Sequence, residues 1–227
     1  MEQELIWSHF QNRRVETFED ARGRYKALAR EARRKGRTGR ALNIGIGAGG
    51  VEAHLLAGGW SVASLDPDAE AVARMRARGS DARQGYAQQI PFAEDSFDVV
   101  VASEVLEHID TAVRPGVYRE IARVLAPGGW IIGSVPYKER LEDGEAVCPH
   151  CGQVFHRWGH VSSFDEAILS DELAVVFSVR TCKKLSFVDW RPNSLAWNIK
   201  EAGRWLLGRF SHGAVYQSLL FVAQKAK

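Results

Sequence analysis

Cysteine, methionine and proline are scarce in this 227-residue chain, at three, two and seven residues. Three cysteines, two of them in one Cys-x-x-Cys pair, exclude the disulfide framework of a small secreted scaffold. No apolar stretch reaches the ~18 residues a bilayer-crossing helix needs. The opening MEQELIWSHF is acidic and lacks a basic start ahead of an apolar run, so no secretory leader is expected. Repeats and low-complexity tracts are absent, which excludes a solenoid or a fibrous chain. Together these absences point to a cytosolic protein built around one core. The balance of 45% hydrophobic and 26% charged residues fits a globular domain of that kind.

Charge is unevenly spread. Residues 1–40 carry 11 Lys/Arg against 6 Asp/Glu and residues 191–227 carry 6 against 1, so the middle of the chain is acidic although the net charge is +2. Basic ends suit an anionic substrate, RNA or an anionic lipid surface, and equally suit solvated helix faces.

In the first forty residues, Val15, Phe18, Ala21, Tyr25, Leu28 and Ala29 recur at helical spacing. From Ala41 the rhythm changes to strand, helix, strand, helix. ALNIGIG, WSVASLD, FDVVVAS and WIIGSVP read as strands, and the segments between them read as helices. Val99, Val100 and Val101 in a row predict a strand covered on both faces. This alternation predicts an α/β fold with a doubly wound, mostly parallel, seven-stranded sheet under a helical N-terminal cover. A single domain is expected: 1–40 the cover, 41–136 the cofactor-binding half, 137–163 a Cys/His insertion, 164–227 the last helices and strands. In the tail, a helix opens at the capping residue Ser163, CKKLSFVDW and SLLFVAQKA read as strands, and SLAWNIKEAGRWLLGRF reads as an amphipathic helix.

NIGIGAGG stands where the first strand meets its helix. Gly45, Gly47 and Gly50 give G-x-G-x-x-G, which allows a tight turn and close backbone approach to a ligand. Asp66 ends the second strand, where a carboxylate can accept both hydroxyls of a ribose. A nicotinamide dehydrogenase would share these features, so the loop alone leaves the cofactor open. In SEVLEHI, Glu104 and His108 stand one helical turn apart and are candidates to face a cleft, with His108 as a general base.

The ordered series LNIGIGAGG, LDPD, QGYAQQIPFAEDSFDVVVASEVLEHI and REIARVLAPGGWIIGSVP resembles the class I S-adenosylmethionine-dependent methyltransferases, especially the group that includes quinone-biosynthesis methyltransferases. The resemblance covers residues 41–136. It implies S-adenosylmethionine as cofactor, with Gly45 and Gly47 facing its methionine portion. Asp66 then falls on the ribose and Pro67 beside the adenine. Gly85, Tyr86, Ala87 and Gln88 stand where the family usually has Gly-Asp-Ala-Glu, so Tyr86 replaces an aspartate and Ala87 and Gln88 are left to meet the adenine. Asn43 replaces the acidic residue of the first motif, and Ser103 lines the pocket beneath the cofactor.

CPHCGQVFHRWGH, running from Cys148 to His160, spells C-x2-C-x4-H-x3-H. Cys148, Cys151, His156 and His160 supply four ligands, enough for a closed tetrahedral zinc site of structural role. The alternatives are reduced side chains packing around Phe155 and Trp158, or a redox pair. Cys182 reads as a buried small hydrophobe. The expected function is methyl transfer to a small-molecule acceptor. RNA or protein methylation and a non-catalytic cofactor-binding module are the rivals, and residues 195–210 are a candidate for peripheral membrane contact.

Overall fold

A computed structural model describes residues 2–189, 191, 194–210 and 217–226. Ahead of the sheet lie helix α1 (Glu2–Arg13), a 3-10 stretch over Val15–Ala21, and helix α2 (Arg22–Lys35). α2 buries Tyr25, Leu28, Ala29 and Ala32, the stripe that helical spacing predicts. Phe18 and Val15 belong to the 3-10 stretch instead, and Val15 is exposed.

The alternating units follow: β1 (Arg40–Ile44), α3 (Gly50–Leu56), β2 (Ser61–Asp66), α4 (Ala69–Arg76), β3 (Asp81–Gln84), β4 (Phe97–Ser103), α5 (Arg114–Val124) and β5 (Leu125–Pro136). A short hairpin, β6 (Glu145–Val147) and β7 (Val154–His156), fills the expected insertion. The chain closes with α6 (Glu166–Ala174), β8 (Phe177–Leu185), α7 (Leu195–Phe210) and β9 (Ser218–Lys225). Seven strands form one sheet in the order β3-β2-β1-β4-β5-β9-β8. The five strands from β3 to β5 pair in parallel, and β9 runs antiparallel to both β5 and β8. This is the doubly wound Rossmann-like architecture that the sequence predicts.

Both faces of the sheet are covered, and successive residues of one strand serve opposite cores. Val100 packs with Leu42, Tyr118, Ile121 and Phe164 on the side of α5 and α6, whereas Val99 and Val101 pack with Leu28, Ala32 and Leu55 on the side of α2 and α3. All three valines are fully buried. Cys182 is half-buried against the first of these cores.

Three local expectations need correction. α6 is capped by Asp165, whose side chain accepts the N–H of Ile168, so Ser163 lies outside the helix. β8 ends at Leu185, before most of SFVDW. Glu104 and His108 do not share an α-helix: residues Leu106–His108 form a 3-10 turn, and Glu104 sits in the left-handed region at φ +54°. Among the described residues no helix is long and apolar enough to cross a membrane. α7 leaves Leu195 and Ile199 exposed at 77% and 64%. The side chains of 204 and 207–210, which complete the face considered for membrane contact, lie outside the described residues.

Candidate functional site

The turns that leave the carboxyl ends of β1, β2, β3, β4 and β5 converge on one cavity of about 730 Å³. Crevices at these strand ends are where open α/β sheets bind ligands. Gly45 (φ +82°) and Gly47 (φ +52°) form its floor in backbone conformations that favour glycine. A Cβ on Gly45 would fall 2.8 Å from Val105, and one on Gly47 would fall 3.2 Å from the Phe18 ring. The floor is therefore shaped for a ligand pressed against bare backbone.

Asp66 lines the next wall and is buried. Its Oδ2 accepts the N–H of Ile46 at 2.7 Å and its Oδ1 that of Asp68 at 2.9 Å. Burial raises its pKa above the ordinary carboxylate value, and these backbone donors pull it back down. Gln11 of α1 also reaches this carboxylate, and its own Oε1 is buried without a protein partner. A carboxylate with spare lone pairs beside an unpaired amide oxygen suits a ligand that brings hydroxyls. Pro67, Tyr86, Ala87 and Gln88 continue the wall. The Tyr86 hydroxyl donates to the Glu4 carboxylate of α1, tying that wall to the helix above it.

Asn43 is not on the cavity surface. It is buried behind the glycine turn, donating through Nδ2 to Gly45 O at 3.0 Å and to Glu52 Oε1 at 2.9 Å. Glu52 Oε1 also accepts from Ser64 Oγ at 2.8 Å. An uncharged residue at Asn43 thus spares the buried Glu52 a like-charge neighbour, and Asn43 braces the turn from below.

The other end of the cavity is lined by Ser103, Glu104, His108, Glu139, Trp158 and His160. Ser103 Oγ accepts from Arg24 Nε at 3.1 Å, and the Arg24 guanidinium stands 3.8 Å from the Glu104 carboxylate. The left-handed backbone of Glu104 is held by its N–H bond to Ser134 O at 2.8 Å, and such strain concentrates at functional sites. His108 presents Nδ1 to both Trp7 Nε1 and Gly159 O at 3.1 Å. Burial, reinforced by His160, drops its pKa to about 3. The imidazole is therefore neutral but a weak proton acceptor, which does not favour the general-base role. His160 Nδ1 meets Glu139 Oε2 at 2.5 Å. Glu107, next to His108, is fully buried, and burial lifts its carboxyl well above the ordinary range.

α1 roofs the site. Gln3, Glu4, Trp7, Phe10 and Gln11 face the cavity at helical spacing. The Phe10 and Trp158 rings meet at 4.5 Å. Composition marks the N-terminal segment as a helical cover, but its site residues Trp7 and Gln11 escape a reading tuned to apolar stripes, because half of this face is polar. Glu139, just after β5, carries no motif of its own.

The four residues proposed for zinc are not brought together. Cys148 and Cys151 occupy the free end of the β6–β7 hairpin, beyond its last pair Val147↔Val154. There the backbone N–H groups of Cys151 and His150 lower the Cys148 thiol pKa. His156 pairs with Glu145 at the opposite end. His156 and His160 stack at 4.7 Å and face Glu139. Two groups of three ligand atoms mutually within 4.8 Å occur among the described residues, Glu107 with His108 and His160, and Glu139 with His156 and His160. Neither includes a cysteine.

Residues 42–133 match the family model described as a methyltransferase domain. The chain is 35% identical over 68 residues to the uncharacterized protein YafE of Escherichia coli, covering 30% of this chain and 32% of that one. It is 39% identical over 94 residues to the ubiquinone/menaquinone biosynthesis C-methyltransferase UbiE of Rubrivivax gelatinosus, covering 39% and 36%. The matches thus span well under half the length of these relatives. Among solved structures, a chain in the complex of the Haloferax volcanii Trm112 methyltransferase activator with a putative methyltransferase superposes with TM-score 0.69 at 19% identity, over 97% of this chain and 98% of that one. The N-methyltransferase NodS of Bradyrhizobium japonicum, bound to S-adenosyl-L-homocysteine, gives TM-score 0.63 at 19% identity over 100% and 97%. These structural likenesses establish the fold.

Proposed function

We propose that this chain, whose residues 42–133 match a methyltransferase-domain model, transfers the methyl group of S-adenosylmethionine to a small-molecule acceptor. The observation that carries the reading is one continuous cavity with two chemically distinct ends. The end made by Gly45, Gly47, Asp66, Pro67, Tyr86, Ala87 and Gln88 fits a nucleoside with an amino-acid arm. The floor admits no side chain at either glycine, and Asp66 and Gln11 offer acceptors to ribose hydroxyls.

The end made by Glu104, His108, Glu139, Trp158 and His160 is left for the acceptor. S-adenosylmethionine supplies an electrophilic methyl sulfonium when bound. The protein's part is to hold the acceptor nucleophile in line with it and keep water out, which is catalysis by orientation. Glu104 is positioned for contact with the acceptor. The roof formed by Trp7 and Phe10 favours a small acceptor over an RNA or protein chain, because it narrows the access to the strand ends. A non-catalytic module would not need the second, histidine-rich end.

Calorimetric titration with S-adenosylmethionine and with NAD tests the cofactor half of the reading. Binding of NAD and not of S-adenosylmethionine would overturn it. Incubation with radiolabelled S-adenosylmethionine and cell extract tests the acceptor half. Label is expected in the small-molecule fraction, and label confined to protein or RNA would transfer the reading to its rival.

A further inference from the structure

We propose that Glu107, His108 and His160 bind a divalent first-row metal ion at the acceptor end of the cavity. One ligand atom from each of the three lies within 4.8 Å of the others. A single ion with bonds of ~2.0–2.2 Å spans atoms up to about twice that distance apart, so small side-chain adjustments seat it.

Independently, the Glu107 side chain is wholly buried, and no donor from any other residue reaches its carboxylate oxygens, its own backbone N–H being the one group that approaches them. A buried carboxylate left without donors is costly, and it calls for a partner that the protein's own donors do not supply.

The surroundings of the two histidines offer the acceptors that a metal-bound imidazole requires. Glu139 can only accept when ionised, so His160 Nδ1 carries the hydrogen at their 2.5 Å contact and Nε2 keeps its lone pair. Gly159 O can only accept, so donation from His108 Nδ1 at 3.1 Å leaves His108 Nε2 with its lone pair as well. The Trp7 N–H reaches the same Nδ1 at the same 3.1 Å and can only donate, so seating the metal requires His108 to give up that contact and keep the one to Gly159 O. A ligating imidazole ordinarily donates its second N–H to a carboxylate or a carbonyl, and here one histidine does each.

The other group is less suited, because the contact that sets the His156 tautomer is a backbone one that the turn itself fixes. His156 Nδ1 accepts the backbone N–H of His160 at 3.1 Å, so the neutral ring carries its hydrogen on Nε2. That atom faces Glu139 at 3.7 Å as a donor. His156 Nε2 is thus a donor beyond hydrogen-bond distance of Glu139, and the ring stacks on His160 rather than ligating.

Two imidazoles and a carboxylate suit zinc, cobalt, manganese or iron in the divalent state. Three protein ligands leave positions open, as in catalytic rather than structural sites. They open onto the cavity that His108, His160 and the neighbouring Glu104 line. An acceptor presenting one or two oxygen donors would occupy them. That role rests on the methyltransferase reading, whereas the metal site itself does not.

The test uses the full chain, stripped with chelator and titrated with Mn²⁺ and Co²⁺ in the absence of any methyl donor. One ion per chain is expected, with a Co²⁺ spectrum lacking thiolate-to-metal charge transfer. Glu107→Gln and His160→Ala should each weaken binding at least tenfold, while Cys148→Ser with Cys151→Ser leaves it unchanged. S-adenosylmethionine affinity within about threefold of wild type shows that the variants are folded, and circular dichroism checks this if that cofactor fails to bind at all. Failure of both ions to bind the stripped wild type would overturn the proposal. So would binding lost in the cysteine variant and kept in the other two. Metal binding without S-adenosylmethionine binding would sink the functional reading and leave the metal site standing.

Discussion

At the scale of single residues, the site rests on two buried carboxylates with opposite tasks. Asp66 faces the cavity with two backbone donors fixing its orientation. A charge-assisted hydrogen bond contributes about 1.5–3 kcal/mol, so Asp66→Ala should weaken S-adenosylmethionine binding by about tenfold or more. Calorimetry on the folded variant measures this, and an unchanged dissociation constant would remove the ribose assignment. Glu52 lies behind the glycine turn, and burial raises its pKa above the ordinary 4.5. Between the ordinary pKa and the raised one, the folded chain keeps a proton that the unfolded chain has released. Stability contributed by this group is complete at acid pH and declines as pH rises through that window. Glu52→Gln keeps an acceptor for Asn43 and Ser64 without the charge. Its melting temperature relative to wild type should be more favourable at pH 8 than at pH 4.5, by about 3 °C or more. A difference that does not change with pH would mean that Glu52 is ionised in the folded protein.

At the scale of elements, α1 and the β6–β7 hairpin decide how closed the site is. The Trp7 ring meets His108 edge-on at 5.1 Å, Gln3 donates to Gly159 O at 3.1 Å, and Asn12 donates to Asp68 at 3.0 Å. α1 packs on α4 and the 3-10 stretch and adds no residue to the two sheet cores. Trp7→Ala removes an aromatic pair worth about 0.5–1.5 kcal/mol and should weaken S-adenosylmethionine binding roughly threefold to tenfold, with little change in melting temperature. Hydrogen exchange over residues 2–13 should slow on adding S-adenosylhomocysteine in wild type and less so in the variant. Equal protection in both would show that Trp7 does not hold the roof.

At the scale of the whole molecule, the antiparallel strand β9 must slot against β5 for the sheet to close. Gly133 makes this possible: a Cβ there would lie 2.1 Å from Ala102 O and 2.5 Å from Phe221. Overpacking a fitted core costs about 1–3 kcal/mol or more. Gly133→Ala should lower the melting temperature by roughly 4–10 °C, measured by scanning calorimetry. An unchanged value would mean that β4, β5 and β9 can spread apart without loss.

Local chemistry and order along the chain were enough to determine the doubly wound sheet, the glycine turn and the place of Asp66 at a strand end, while the residues from Pro67 to Gln88 came from the family resemblance and do line the cavity. Strand and helix periodicity is written residue by residue, and glycine is the residue that lets backbone turn tightly and approach a ligand closely. The same local logic found His160 and grouped it with two cysteines by spacing, but spacing counts residues and not direction. The hairpin carries Cys148 and Cys151 away to its free end and returns His160 to the mouth of β4, beside Glu107 and His108. Asn43 was legible as part of the first motif, yet its strand position aims it at Glu52 and away from the cavity. Trp7 and Gln11 acquire roles only when α1 folds over the strand ends, because each acts across more than fifty residues of chain, and Glu139 acquires its role only when the turn after the hairpin brings His160 back to it. Which cysteine, histidine or carboxylate meets which other was decided by tertiary structure, since those contacts depend on where separate turns arrive in space.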